Sequence, residues 1–378
     1  TSMKKEQGEH KKQETLFTVG PVMIFPSTLR LGGTQVPYFR TPEFTTTVLD
    51  CEQSLILLAD AAIGSRAVFL TASGTGAMEA AIINTLSPND RALIIVGGTF
   101  GARFCEICKD AGIAFDAIEL EPGASFDPEM LKAYDLSQYS ALLVNAHETS
   151  TGVRYDIAAL GAICRANGLL FIVDAISAFL CDPISMISMG IDVLIVSSQK
   201  ALALAPGLSM LLLSPRAMEI VERAHVSSYY FGLKKYLQDG ARGQTPFTPA
   251  VGVLMQLLDR LDALKAIGAS ALVDQCHARA NYFRHAIEGL PYAIFAQTPS
   301  NALTALSPQK EGLAQDGQQA QKARSAYAIY EILKNDYGLV VTPNGGALKD
   351  TVFRVGHMGN LTKKDFSILA AALREIAE

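Results

Sequence analysis

The chain has 378 residues, 49% of them hydrophobic and 18% charged, with a formal net charge of −5 and six cysteines. That length can bury a large core and suggests two domains, and no basic run is dense enough for nucleic acid. The cysteines (Cys51, Cys105, Cys108, Cys164, Cys181 and Cys276) are too scattered for a disulfide framework. They read as buried or free thiols of a cytoplasmic protein.

The chain opens on TSMKKEQGEHKKQE, which is charged, lacks an apolar core and reads as a disordered tail over 1–16, not as a signal or transit peptide. From about residue 67, short apolar runs (67–70, 92–96, 141–144, 169–173, 193–196) alternate with segments of helical spacing such as 76–86, 101–111 and 157–166. That alternation predicts a mostly parallel sheet covered on both faces. The pair Cys105 and Cys108 falls in one of the helical segments. With no second Cys or His pair at zinc spacing, the reading there is a helix and no metal. The run 208–213 follows 193–196 after a short connection, so this pair is expected to be antiparallel. The apolar stretch 201–215 is interrupted by Pro206 and Gly207 and falls short of the ~20 residues a bilayer needs, so no membrane role is expected. After about Thr248 long helical patterns take over (253–267, 271–289, 320–337), with a polar loop at 307–321. Strand-like pieces follow at 338–342 and 351–355, then a helix starting near Thr362, an N-cap candidate. The predicted fold class is α/β: a large unit over 17–252 with a mostly parallel mixed sheet, whose N-terminal segment meets the second unit or a partner, then a smaller α+β unit over 253–378.

Ligands of open α/β sheets sit beyond the carboxyl ends of the strands. Five such ends carry small, hydroxylic or ionisable groups: TASGTGAMEA, GGTFGARF, NAHETSTGV, Asp174 and SSQK. Ser73-Gly74-Thr75-Gly76 opens a helix, where amides and hydroxyls bind phosphate or simply cap the turn. It fits neither G-x-G-x-x-G nor the P-loop pattern, which argues against a nicotinamide dehydrogenase. Lys200 is the only charged residue between Asp192 and Arg216. It is either a snorkelling surface lysine or an amine whose pKa is lowered by its apolar setting, and that setting favours the second. Asp174 ends the apolar run LLFIVD. It either caps a turn or balances a cation such as a protonated pyridine nitrogen.

The stretches FIVDAISAF and DVLIVSSQKALALAPG resemble the pyridoxal 5′-phosphate (PLP) site of class V aminotransferases of the alanine–glyoxylate/serine–pyruvate type. LFTVGP, FLTASGTGAMEAAI, HETSTGV, TPFTPAVGVL and FRVGHMGNL extend the resemblance over most of the chain in family order. It implies PLP fold type I and a homodimer with active sites at the interface. By position, Lys200 resembles the Schiff-base lysine and Asp174 the pyridinium partner. Ser73, Gly74 and Thr75 resemble the phosphate loop, with Gln199 beside them. Phe100 stands where an aromatic ring, Trp in many relatives, stacks on the cofactor. Thr149 resembles the hydroxyl near the cofactor's 3′-oxygen, and Thr248, or nearby Thr245, a phosphate contact given by the neighbouring subunit. Arg354 resembles the clamp for the substrate carboxylate; without the resemblance it would read as a packing arginine.

Tyr38 and Arg40 either line the entrance or serve the fold. His147 and His357 are not expected to be the main base, because the Lys200 amine is already placed for proton transfer. The implied activity moves an amino group from an alanine- or serine-type donor to glyoxylate or pyruvate. The nearest alternative is 2-aminoethylphosphonate–pyruvate transamination. A lyase or desulfurase would want a reactive cysteine on a mobile loop, whereas Cys276 lies in a helical pattern. Retention of Lys200 and Asp174 argues against a non-catalytic PLP-fold binding protein.

Overall fold

A computed structural model describes residues 14–309 and 324–378. Residues 1–13 of the tail expected over 1–16, and residues 310–321 of the loop expected over 307–321, lie outside the described residues; Thr15 and Leu16 of that tail are instead in a strand, Thr15–Phe17, and Ser307 and Pro308 of that loop in another, Leu303–Pro308.

Among the described residues, fourteen strands are β1 (Thr15–Phe17), β2 (Arg66–Leu70), β3 (Arg91–Val96), β4 (Ala114–Glu119), β5 (Ala141–Asn145), β6 (His147–Glu148), β7 (Val153–Arg154), β8 (Leu170–Asp174), β9 (Val193–Ser197), β10 (Ser209–Leu213), β11 (Tyr292–Ile294), β12 (Leu303–Pro308), β13 (Leu339–Pro343) and β14 (Phe353–Gly356). Seven of them form one sheet in the order β2-β10-β9-β8-β5-β3-β4. All run parallel except β10, which is antiparallel to both neighbours, with Ser209 opposite Ser197 on one side and Leu70 on the other. The short link after β9 makes that reversal possible, as the sequence suggested.

Why the strands read as unbroken apolar runs is plain from their two faces. Leu93, Ile95, Leu142, Val144, Leu194 and Val196 enter one core, and Ala92, Ile94, Ala141, Leu143, Val193 and Ile195 the other. Both faces are dry, so both must be apolar. Helices Pro42–Leu58 and Ile157–Asn167 cover the first face, and helices Gly74–Thr85 and Thr99–Asp110 the second. Strand β4 escaped the sequence reading because it is an edge strand: in AFDAIE only Ile118 is buried, so its pattern is that of a half-solvated segment.

The second sheet has the order β1-β13-β14-β12-β11, antiparallel apart from β1 on β13. Phe17, Phe283, Phe353 and Phe366 are fully buried in its core. Helix Lys363–Ala377 closes it, started by a capping box in which Thr362 and Asp365 each bond the other's backbone N–H. Helix Val251–Ile267 packs Leu254, Leu257, Leu261 and Leu264 into the core of the large sheet, whereas the next helix, Ala269–Ala286, sends Phe283 into the second core. The described part of the pattern at 320–337 is helix Ala326–Ile332, widening to a π-turn over Leu333–Tyr337 that Gly338 ends at φ 70°. No helix among the described residues is long and apolar enough to cross a membrane.

Candidate active site

The carboxyl ends of β2, β3, β5, β8 and β9 converge, and the residues after them meet. Lys200 follows β9 and is buried, its Nζ donating to the Val19 carbonyl at 2.5 Å. Burial pushes its pKa down to about 8, the positive Arg354 pushes the same way, and Asp174 and Cys181 oppose. An amine so placed is substantially neutral near pH 8, the form that can attack a carbonyl carbon.

Asp174 closes β8. Burial raises its carboxyl to about 6, against the lowering effect of the Ile176 N–H at 2.8 Å and the Asn145 side-chain amide at 2.5 Å; Glu148 adds to the rise and Lys200 offsets it. Asn145 is brought opposite Asp174 by the β5–β8 register. A carboxyl held under such strain lowers its energy by meeting a cation.

The turn Ser73–Thr75 starts helix Gly74–Thr85, and the Ser73 side chain makes no cap bond there. Gly74 is buried against Ile176 and Ser197: a Cβ on it would stand 2.5 Å from Ile176 Cδ1. The helix start is therefore pressed against Ile176, just after β8, and Ser197, the last residue of β9. Gln199 joins them, its side-chain oxygen accepting from Ser197 Oγ at 2.5 Å. Thr75 Oγ1 accepts from Arg103 at 3.1 Å, and the Arg103 guanidinium lies 4.9 Å from the centre of the Phe100 ring.

Glu148, which the sequence reading passed over, organises the neighbouring corner. It is fully buried, and its carboxylate accepts from the N–H of Phe100 at 3.3 Å, of Gly101 at 3.0 Å and of Ser150 at 3.2 Å, and from Ser150 Oγ at 2.5 Å. Helix Thr99–Asp110 begins after Gly98, which has no side chain to cap with, and Glu148 supplies the missing acceptor from another element. Thr149, next along, bonds the Ser177 hydroxyl, and its carbonyl accepts from Arg354 at 3.1 Å. Arg354 also donates to the Pro343 carbonyl at 2.7 Å, and its Nε has no partner. Burial lowers its pKa to about 10, with Glu148 opposing; it stays a cation at neutral pH, with its Nε–H still to place.

The remaining candidates divide. Thr248 is exposed, and Ala250, two residues on, donates its N–H to Thr71 Oγ1 at 2.9 Å, two positions before Ser73, whereas Thr245 is buried with its hydroxyl on the Phe247 carbonyl at 2.7 Å. Arg40 donates to Gln244 and to the Thr245 carbonyl, both at 2.9 Å, and Tyr38 is exposed. His147 Nε2 lies 2.8 Å from Asp182, in a buried polar group with Asn301. His357 is enclosed between Thr304, the Asn301 carbonyl and the rings of Phe283 and Phe366. Gly20 was missed as well, although it lies in a quoted motif: a Cβ on it would strike Lys200.

These residues suit PLP by the chemistry of their donors. A helix start without a side-chain cap suits a phosphate, a buried carboxyl a pyridinium nitrogen, and a buried amine of lowered pKa an aldehyde. The family model "Aminotransferase class-V" matches residues 40–307. The soluble hydrogenase 42 kDa subunit of Anabaena cylindrica is 32% identical over 89% of this chain and 86% of its own length. The L-aspartate–glyoxylate aminotransferase of Paracoccus denitrificans is 30% identical over 78% and 74%. The pyridoxamine–pyruvate aminotransferase of Mesorhizobium loti superposes with a TM-score of 0.86 at 25% identity, covering 97% of this chain and 93% of that one. With the family model spanning well over half the chain, the protein belongs to the class V aminotransferases and is a transaminase whose cofactor is pyridoxal 5′-phosphate.

Proposed function

We propose that the protein moves an amino group from a small donor of the alanine or serine type to glyoxylate or pyruvate. The observation that carries this reading is the cluster of three buried groups, Lys200, Asp174 and Arg354, drawn from two different sheets and close enough to shift Lys200's titration. Glyoxylate and pyruvate are the acceptors named for the Paracoccus and Mesorhizobium relatives.

When bound, PLP supplies an aldehyde carbon that accepts amines and a ring that draws electrons from the donor's α-carbon. Ser73, Gly74, Thr75 and Gln199 would hold its phosphate, Asp174 its ring nitrogen, Thr149 its 3′-oxygen and Phe100 one face of its ring. Lys200 would hold the aldehyde through its buried Nζ, and the same Nζ, once free, would carry the proton from the donor's α-carbon. The Asp174 carboxylate, held by Asn145 and the Ile176 N–H, would balance the positive charge of a protonated ring nitrogen. Arg354, fixed by two carbonyls, offers its guanidinium to the carboxylate shared by donor and acceptor. A second copy of the chain completes the site with Thr248. The exposed Thr248, Val36, Tyr38 and Tyr229 suit such a contact. The free thiols suit the cytoplasm.

A half-reaction panel tests the substrate class. The PLP form of the purified protein is mixed with alanine, serine, aspartate or 2-aminoethylphosphonate, and the absorbance is followed to the pyridoxamine form. Alanine or serine should convert it fastest, with glyoxylate or pyruvate reversing the change. Conversion by 2-aminoethylphosphonate alone would replace this reading with phosphonate transamination.

A further inference from the structure

Lys200 rises from the large sheet, yet its amine is held by a segment anchored to the other sheet. Its acceptor, the Val19 carbonyl at 2.5 Å, lies just beyond β1. Three contacts fix this segment to the second sheet and the chain after it. Val19 N–H donates to Thr342 Oγ1 on β13 at 2.9 Å. The Thr18 carbonyl lies so close to Gly356 on β14 that a Cβ there would stand 2.2 Å from it. Asn360 N–H donates to the Met23 carbonyl at 2.9 Å.

Gly20, next to the acceptor, has φ +128°, which side-chain-bearing residues rarely adopt. A Cβ on it would stand 2.7 Å from Lys200 Cδ and 3.0 Å from Cε and Nζ. The path of the lysine side chain is therefore cut into this turn. The same strand end also holds Arg354. Thr342 pairs with Arg354 in the β13–β14 register, and the Pro343 carbonyl accepts from the Arg354 guanidinium at 2.7 Å. Two adjacent residues, 342 and 343, thus set both the acceptor of the lysine amine and the cation that would meet the substrate.

We propose that the Val19–Gly20 turn is a docking point for the Lys200 amine, positioned by Thr342, which holds the freed Nζ in place while substrate occupies the site and ties that place to Arg354. The proposal rests on the transaminase reading, since a lysine released and recaptured in every turnover is one that needs a resting acceptor. A carbonyl suits this use because it accepts from an ammonium and from a neutral amine alike. Thr342 is a positioning residue that acts through the Val19 backbone.

The test is recapture of the cofactor by the apoprotein. PLP is added, samples are reduced with borohydride at intervals, and the phosphopyridoxyl mass on the Lys200 peptide is measured. Thr342→Val, which removes the acceptor hydroxyl, should slow recapture about tenfold, the worth of roughly one hydrogen bond, and should lower kcat more than it changes KM for the amino donor. Thr342→Ser, which keeps the hydroxyl, should stay within about twofold of the parent. Loss of stability would give the opposite order, because Val suits a strand better than Ser. Gly20→Ala should slow recapture at least as much as Thr342→Val. Recapture at the parental rate in Thr342→Val, or an equal loss in Thr342→Ser, would overturn the docking point. A parent protein that never carries the mass on Lys200 would instead bring down the transaminase reading itself, and the docking point with it.

Discussion

Asp174 and Lys200 are each costly in their surroundings, and the costs have opposite signs. Burial drives the carboxyl up to about 6 and the amine down to about 8, so each approaches neutrality when nothing meets it. Both were legible in the sequence because each is an isolated ionisable group in an apolar run. Arg354 was legible only through the resemblance, since VFRVG carries no such contrast. Asn145 was not legible at all: its task depends on the β5–β8 register, which sets it opposite Asp174. If Asp174 is the partner of the ring nitrogen, Asp174→Asn should still load PLP on Lys200 but slow the alanine half-reaction by on the order of 10²-fold or more. Stopped-flow absorbance checks this, and an unchanged rate would remove Asp174 from the assignment.

At the scale of elements, helix Thr99–Asp110 shows why pattern alone missed part of the site. The sequence announces its apolar face, but its start after Gly98 lacks a capping residue, and the cap comes from Glu148 about fifty positions away. A long-range cap leaves no local signature. Glu148→Gln would set an amide donor against N–H groups that now share a carboxylate and would remove a charge from the helix start. The expected cost is about 1–3 kcal/mol, seen as a lower melting temperature and weaker retention of PLP. Gly101, where a Cβ would meet the β3 backbone at 2.8 Å, shows that this helix has little room to shift and relieve the strain. The edge strand β4 escaped notice for a different reason: paired on one side only, to β3, and with Ile118 its one buried residue, it has no apolar run to announce it.

Across the whole molecule, the large sheet was read almost strand by strand, because dry layers force long apolar runs. The second sheet was read only in part, because β1 joins it from the far end of the chain and no local pattern carries that pairing. Its core also encloses His357, whose pKa is pushed down to about 3 by burial and by Arg284 and Arg279, against the Asn301 carbonyl bond. Unfolded, the imidazole titrates near 6.5. Its contribution is therefore complete above about pH 6.5 and drains away as the pH falls toward 3, by about 1.4 kcal/mol for each pH unit crossed. Urea midpoints should fall less between about pH 7 and about pH 5 in His357→Gln than in the parent; equal falls would clear His357 as a source.

The pairing of β1 with β13 also sets an order of assembly during synthesis. The strand Thr15–Phe17 leaves the ribosome more than three hundred residues before its partner Leu339–Val341. Every strand of the large sheet is translated in between, so that sheet can close on itself while the first strand still waits. The lysine is thus in place well before Thr342 exists to anchor the turn beside it. A nascent chain therefore gains the finished surroundings of Lys200 only after Thr342 has been made, long after the large sheet is complete.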